Sequence, residues 1–299
     1  MNGPEWGQLV FLSVLWGGAF FFAGAAVQDV PPLTVVFARV FLAALILLPL
    51  FVSHGHRLPR GWAAWWPFFV MGMLNNVLPF SLLFFGQTQV TVGLASIINA
   101  MTPLFTVLVM AGFGVERLTA CRVVGVVLGV VGVAVLRGGD GGDASQSIGI
   151  GLCLAATVSY AFAGLWGRRH LGGVAPLKSA TCQLICSSLI MAVVAGLWDR
   201  PWELGLPAPT TIGAIFALAA FGTALAYIVF FRLLVSAGAS NVMLVTLLIP
   251  VTAMALGALF LGEAVKPWEL LGAVVIGLGL VFIDGRLPRR LGFGGRPYP

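Results

Sequence analysis

The chain of 299 residues is 60% hydrophobic and only 9% charged, with a mean hydropathy of +1.04 and a formal net charge of +6. An average soluble domain carries roughly 25% charged residues, so this composition excludes a soluble globular protein and points to an integral membrane protein. The basic excess is then a signal of membrane topology, and nucleic acid is not an expected partner.

Crossing a hydrocarbon core of about 30 Å takes roughly 20 apolar residues as a helix. Ten such runs follow one another, at 9–26, 33–52, 64–85, 92–113, 120–136, 148–167, 177–198, 211–234, 239–261 and 267–283. The breaks between them carry turn chemistry or charge, as in QDVPP, SHGHRLPR, RGGDGGDAS and DRPWELGLPAP. The expected fold is all-α, with ten transmembrane helices and no soluble domain. The first run has no basic residue before it and no small-residue cleavage site after it, so it reads as a retained helix.

The first run contains Trp16 and Phe20, and the second contains Arg39. An intramembrane charge is a functional hypothesis by default. Arg39 can snorkel outward, pair with a carbonyl, or meet a substrate carboxylate. The third run, in MGMLNNVLPF, places Asn75 and Asn76 about eleven residues from either end, hence near the bilayer midplane. Adjacent helical positions point about 100° apart, so at most one amide faces a cavity squarely while the other bonds a neighbouring helix. Pro79, Pro103 and Pro250 lie inside the third, fourth and ninth runs. Each removes a helical hydrogen bond and frees a carbonyl one turn earlier, near Asn75, Asn99 and Thr246 respectively. Such freed backbone is tolerated where it is covered or lines water, which makes these prolines candidate hinges.

Glu116 and Glu263 open the connections before the fifth and tenth runs, where they act as turn residues or as gates. Tyr160 and Trp166 lie in the sixth run and Tyr227 in the eighth; with Met71, Met73, Met101 and Met243 nearby they suggest an aromatic, methionine-rich cavity. Trp198, Trp202 and Trp268, near run ends, read as interfacial anchors. Cys121, Cys153, Cys182 and Cys186 read as small core hydrophobes. No metal, metal ligand set or cofactor is expected.

Counting basic residues on alternate sides gives Arg137, Arg200 and Lys266 on one side. The other holds Arg57, Arg60, Arg117, Arg122, Arg168, Arg169, Arg286, Arg289, Arg290 and Arg296. This bias puts both termini in the cytoplasm.

Comparing the sequence with itself reveals a repeat. A shift of 147 aligns 75–136 with 222–283 without a gap, matching Pro103 to Pro250, Glu116 to Glu263, Gly125 to Gly272 and Gly132 to Gly279 among nine identities. Upstream, a shift of 144 matches Trp16 to Tyr160, Pro32 to Pro176 and Leu33 to Leu177. The division is 1–144 and 145–285, with a basic cytoplasmic tail at 286–299. Five helices per repeat is an odd number, so the second half enters the membrane inverted. Inverted repeats meet around a midplane substrate site and expose it alternately to either side.

The stretches LWGGAFF, ARVFLAALILL, MTPLFTVLVM, FGTALAYIVFFRLL and GASNVMLVTLLIPVTAMALGALFLGEAVKPWELLGAVVIGLGLVFI resemble the EamA-type members of the drug/metabolite transporter superfamily. The resemblance covers nearly the whole chain. It implies a ten-helix exporter of amino acids or other small metabolites, with a cavity lined by the third, fourth, eighth and ninth helices and reached by the first and sixth. YddG-like amino-acid exporters share this organisation. The pair Asn75–Asn76 departs from the small residues usual there, and its repeat mates are Gly222 and Thr223.

No carboxylate or histidine falls in the middle third of any run, and no Gly-x-x-x-x-Gly-Lys-Ser/Thr loop is present. The paired aspartates, serine–histidine sets and metal clusters of membrane enzymes are absent too, so no enzymatic activity is expected. The expectation is a secondary exporter in a bacterial-type inner membrane, favouring aromatic or apolar amino acids. Its expected contacts are Trp16, Asn75, Asn76, Asn99, Tyr160, Trp166, Tyr227 and Thr246. Drugs, nucleobases or other metabolites are the alternative cargo, and a membrane-embedded enzyme or a structural subunit fits less well. A small-molecule substrate and the lipid bilayer are the expected partners; the oligomeric state stays open, with a monomer favoured. Gly125, Gly129 and Gly132 form a small-residue stripe that packs helices within one chain or between two.

Overall fold

The structure is a computed structural model that describes residues 2–138, 144–242 and 244–284. The tail at 286–299 and Met243 lie outside the described residues. Among the described residues the chain is entirely helical, without strands. Eight helices are long and apolar enough to cross a membrane. They are α1 (Gly3–Ala26), α2 (Pro32–Ser53), α3 (Trp62–Gln87), α4 (Val92–Gly112), α6 (Ala144–His170), α7 (Pro176–Trp198), α8 (Pro209–Leu234) and α10 (Pro267–Asp284). Two shorter apolar helices complete the bundle, α5 (Ala120–Leu136) and α9 (Val245–Phe260), the latter preceded by the short helix Ala239–Val242.

Local sequence explains the helix starts. Asn2 and Glu5 form a reciprocal capping box on α1: Glu5 N–H donates to Asn2 Oδ1 at 3.0 Å and Asn2 N–H to Glu5 Oε2 at 2.8 Å. This box starts α1 six residues before its apolar run begins at Leu9. Proline occupies the first helical position of α2, α7 and α8, where its missing N–H costs nothing. Thr91 and Thr119 accept from Leu94 N–H and Arg122 N–H to cap α4 and α5.

The outer surface is apolar, with Val130, Leu197, Leu259 and Val274 all exposed. On a soluble protein this would be an aggregation hazard; on a bundle of apolar helices it is the lipid-facing wall. The core lies between α1, α2, α3, α4 and α7, around Ala23, Val35, Val36, Ala43, Ile98 and Leu184.

α5 and α10 pack mainly against each other, antiparallel, along the glycine stripe. A Cβ on Gly125 would lie 2.6 Å from the carbonyl oxygen of Gly279, and one on Gly279 would lie 2.6 Å from that of Gly125. Gly132 and Gly272 approach each other's carbonyl oxygens in the same way, at 3.1 and 3.0 Å. The stripe is thus occupied within the chain, and its contacts are reciprocal: Gly125 and Gly132 meet the repeat mates of Gly132 and Gly125.

Two π-helical segments interrupt the long helices, Met73–Val77 in α3 and Ala220–Leu225 in α8. Their first residues are 147 positions apart, the repeat shift. The same shift matches Pro103 to Pro250. Pro103 sits in the first turn of a new helical piece, Thr102–Gly112, after a break at Ala100 and Met101. Pro250 lies inside the continuous α9, whose break comes earlier, ahead of Val245. The two matched prolines therefore sit in different local settings.

Replacing Gly132 by leucine should cost about 2 kcal/mol or more through overpacking of the α5–α10 seam. Detergent-solubilised G132L is expected to melt at a lower temperature, whereas alanine at Gly151, which has open space around it, should leave the melting temperature unchanged.

Candidate functional site

The π segment of α3 presents a row of polar contacts to α6, α7 and α8. In this register a backbone N–H bonds five residues back, as Leu78 does to the carbonyl of Met73. The N–H that Pro79 lacks would therefore have served Leu74, not Asn75. Ser159 of α6 fills that place, its Oγ donating to the Leu74 carbonyl at 2.7 Å. The carbonyl left open by Pro79 is thus paired inside the protein, one residue before the position that a regular helix implies.

Asn75 and Asn76 separate cleanly. Asn76 is fully buried, and its Nδ2 donates to Ser187 Oγ of α7 at 3.0 Å. Asn75 is only partly buried. Its Nδ2 donates to Gln183 Oε1 at 3.2 Å and, at longer range, to Tyr227 Oη at 3.4 Å. Tyr227 Oη in turn donates to Asn76 Oδ1 at 3.3 Å. The Oδ1 of Asn75 accepts no hydrogen bond among the described residues. Both amides bond neighbouring helices, Asn76 from full burial and Asn75 with an oxygen that has capacity left over.

The π segment of α8 is held from the other side. Gly222 packs against Ala19 of α1 so closely that a Cβ would lie 2.7 Å from the alanine Cβ. Thr223 Oγ1 donates to the Leu218 carbonyl at 3.2 Å and accepts from Nε of the buried Arg39 at 2.9 Å. The Arg39 guanidinium carbon stands 3.7 Å above the Phe80 ring centroid and 5.7 Å from that of Phe84. Arg39 therefore does not snorkel to an interface. Tyr160 and Tyr227 are both close enough to feel its charge.

Continuing the upstream shift of 144 places Gln183 as the repeat mate of Arg39. Each reaches the π segment of the opposite half, Arg39 through Thr223 and Gln183 through Asn75. Gln183, Ser187, Thr223 and Phe80 were missing from the residues expected at the site. The first would have emerged had the repeat been followed six residues past Leu177.

The other expected residues are dispersed. The Trp16 ring packs tilted against Phe230 with centroids 5.4 Å apart, in an apolar cluster with Leu12, Val229 and Ile249, although its mate Tyr160 is within electrostatic range of Arg39. Trp166 donates to the Pro67 carbonyl at 3.0 Å and stacks on His170 at 3.7 Å, so it ties α6 to the start of α3. Asn99 ends the first piece of α4; its carbonyl accepts from Thr102 Oγ1 at 2.8 Å, while its buried Oδ1 has no partner among the described residues. Thr246 is half-buried in the first turn of α9.

A cavity of about 460 Å³ opens on the face of the bundle where α1 begins, the N-terminal face, and its lining reaches the Tyr227 side of this cluster. Leu47, Leu50, Ala180, Ile228 and Phe231 line its walls, Tyr227 lies at its inner part, and His54, His56 and Arg232 stand toward the mouth. The opposite face is laced together by longer-range hydrogen bonds. Thr34 N–H and Oγ1 donate to Asp199 at 2.7 and 2.9 Å, and Gln87 Nε2 donates to the Phe20 carbonyl at 2.9 Å. A shallower cavity of about 290 Å³ lies there, beside Glu263 and Gln28.

The two glutamates of the repeat have different partners. Glu263 accepts from the N–H of Val92 at 2.8 Å and of Gly93 at 3.5 Å, binding the α9–α10 connection to the N-terminus of α4. A carboxylate there also meets the positive end of the helix dipole. Glu116 pairs instead with Arg122 at 2.9 Å and Arg168 at 3.4 Å. Among the described residues no three His, Cys, Asp or Glu side chains converge as metal ligands.

This is the architecture of a multi-pass membrane protein with a polar cluster inside an apolar bundle, open to one face. The EamA-like transporter family matches the chain twice, over residues 6–138 and 147–284, and the chain belongs to that family. It is 27% identical to an uncharacterized transporter of Bacillus subtilis, YvbV, covering 92% of this chain and 90% of the relative. It is equally 27% identical to the uncharacterized inner membrane transporter YedA of Escherichia coli, covering 93% and 90%. Protein PecM of Dickeya dadantii is 27% identical over 90% of this chain and 89% of its own. A solved crystal structure with 19% identity matches 95% of this chain and 97% of its own with a TM-score of 0.67, which shows a shared fold.

Asn75→Leu and Asn76→Leu should part company. N76L is expected to lose about 1 kcal/mol of stability from the broken tie to Ser187, with the loss shrinking in a Ser187→Ala background. N75L loses its bond to Gln183 instead, so its loss should be the same with or without Ser187→Ala. Thermal unfolding of these variants in detergent checks both.

Proposed function

We propose that this protein is a secondary exporter of small metabolites, acting on amino acids with a preference for aromatic or apolar ones. It works by alternating access around the cluster of Arg39, Asn75, Gln183 and Tyr227. The observation that carries this reading is the placement of a partly unsatisfied polar cluster at the inner part of a cavity that opens at one face while hydrogen bonds lace the other. A channel would need both faces open at once, and a structural subunit would have no use for spare polar capacity in the middle of its helices.

On this reading all ten helices span the bilayer as two inverted repeats, 1–144 and 145–285. The double match to one family, the π segments 147 residues apart and the reciprocal glycine contacts of α5 and α10 support it. The N-terminal face is cytoplasmic, in keeping with the basic residues it carries, so the cavity faces the cytoplasm and loads cargo there. The membrane is a bacterial-type inner membrane, as the name of the Escherichia coli relative says of that protein. Tyr160, Tyr227 and the Phe80 ring pack the side chain of the cargo, and neutral amides with Arg39 hold its polar end.

The glutamates act as gates. Glu263 latches the outer end of α4 in the state seen here, and Glu116, its mate, makes the corresponding bond to the start of the α9 region when the inner face closes. The breaks after Asn99 and before Val245 give α4 and α9 the freedom to swing.

Proteoliposomes loaded with labelled phenylalanine, leucine or alanine test the function. Flux is expected for the first two, unaltered by a pH gradient because the cluster holds no carboxylate or histidine to carry a proton. No flux for any amino acid sinks the reading, and strong acceleration by the gradient sinks the uncoupled mechanism. For the gate, Glu263→Gln should weaken the latch by about 1 kcal/mol. It should raise the labelling rate of a single cysteine introduced by Ala95→Cys, buried in α4 next to the latch, about fivefold over the same cysteine with Glu263 intact.

A further inference from the structure

We propose that Arg39 is an anion subsite: the transported molecules are organic carboxylates, and their amino group is dispensable. This rests on the cluster being the transport site.

The guanidinium carries five N–H donors in a planar fork, and only Nε is used, by Thr223. The two terminal nitrogens make no hydrogen bond, and no acidic side chain pairs with them, among the described residues. Of the outcomes open to a membrane arginine, outward snorkelling is excluded by burial at 8% exposure beside a mid-helix π segment. Pairing with a backbone carbonyl is not seen. What remains is a charge 3.7 Å over the Phe80 ring with its two terminal nitrogens unfilled. The contact with Phe80 and the bond at Nε hold the guanidinium in place, and a carboxylate is the group whose two oxygens match its fork.

The route in has the same sign. The inner cavity bears Arg232, and no carboxylate lines it. That charge draws anions and repels free amines. For an ammonium group the cluster offers only neutral acceptors, the Asn75 Oδ1 among them. The repeat mate of Arg39 is the neutral Gln183, so there is no second charge to hold the other end of a zwitterion. A carboxylate therefore gains a charge-assisted pair that an ammonium cannot match.

Three ligands matched in side chain and different in charge separate these contributions: phenylalanine, 3-phenyllactate and 2-phenylethylamine, with leucine, 2-hydroxyisocaproate and isoamylamine as the aliphatic set. Binding to purified protein is measured by calorimetry and by inhibition of flux in proteoliposomes. The hydroxy acids are expected to bind within about threefold of the amino acids, and the amines at least tenfold more weakly. In Arg39→Gln the acids should weaken at least tenfold and the amines remain unchanged, removing the discrimination. Arg39→Lys keeps the charge without the fork and should recover part of it, which shows that a loss in the glutamine variant is not misfolding.

Amines that bind as tightly as the hydroxy acids overturn the proposal. So does Arg39→Gln protein that still prefers acids, and so does failure of every carboxylate to bind. Hydroxy acids that bind and move while amino acids do neither would uphold the anion subsite and defeat the amino-acid reading.

Discussion

Inside a hydrocarbon layer every peptide N–H and C=O must find a partner within the protein, and this chain meets that constraint most delicately at its two π segments. A helix that slips into i→i+5 register presents backbone and side chains out of step with its neighbours. In α3 the Leu74 carbonyl is met by Ser159; in α8 Thr223 bonds back to Leu218 and forward to Arg39. These bonds set which side chains of α1, α2, α6 and α7 lie around the centre of the bundle. The polar cluster is a product of this backbone accounting as much as of the side chains themselves.

The helices were legible because hydropathy has no competitor in a bilayer: among the described residues the apolar runs fall on helical segments, and the capping box at Asn2 and Glu5 starts α1 six residues before its run. The centre was less legible. Asn75 and Asn76 are 100° apart on any helix, so only the neighbours decide what each amide bonds, and Ser187 sits over a hundred residues away. The π register also moved the carbonyl freed by Pro79 from Asn75 to Leu74, a change that local sequence does not announce. Pro103 and Pro250 match in sequence and differ in setting, because the chain before Val245 breaks earlier in its repeat than the chain before Thr102.

Glu116 and Glu263 carry the same lesson at larger scale. They are repeat mates, yet one caps a helix across the bundle and the other pairs with arginines. Sequence repeats describe what both halves are able to do; a single structure records what each is doing. The asymmetry of the centre is of a different kind, since Arg39 against Gln183 is written in the residues and persists in any conformation. A positive charge in one half and an amide in the other give the cluster a direction, and a ligand with distinguishable ends has one preferred way to lie in it.

The glycine seam between α5 and α10 differs from the two glutamates. Its closest backbone approaches are reproduced when the halves are interchanged, Gly125 with Gly279 becoming Gly272 with Gly132. On the proposed alternating mechanism, approaches that are their own image favour neither form. Changes at these glycines should then alter how much folded protein there is while leaving the ratio of the two proposed forms nearly untouched, and changes at the glutamates the reverse. Mutational scans of abundance and of flux would accordingly fall into two nearly separate populations of residues, divided by geometry and not by distance from the cavity.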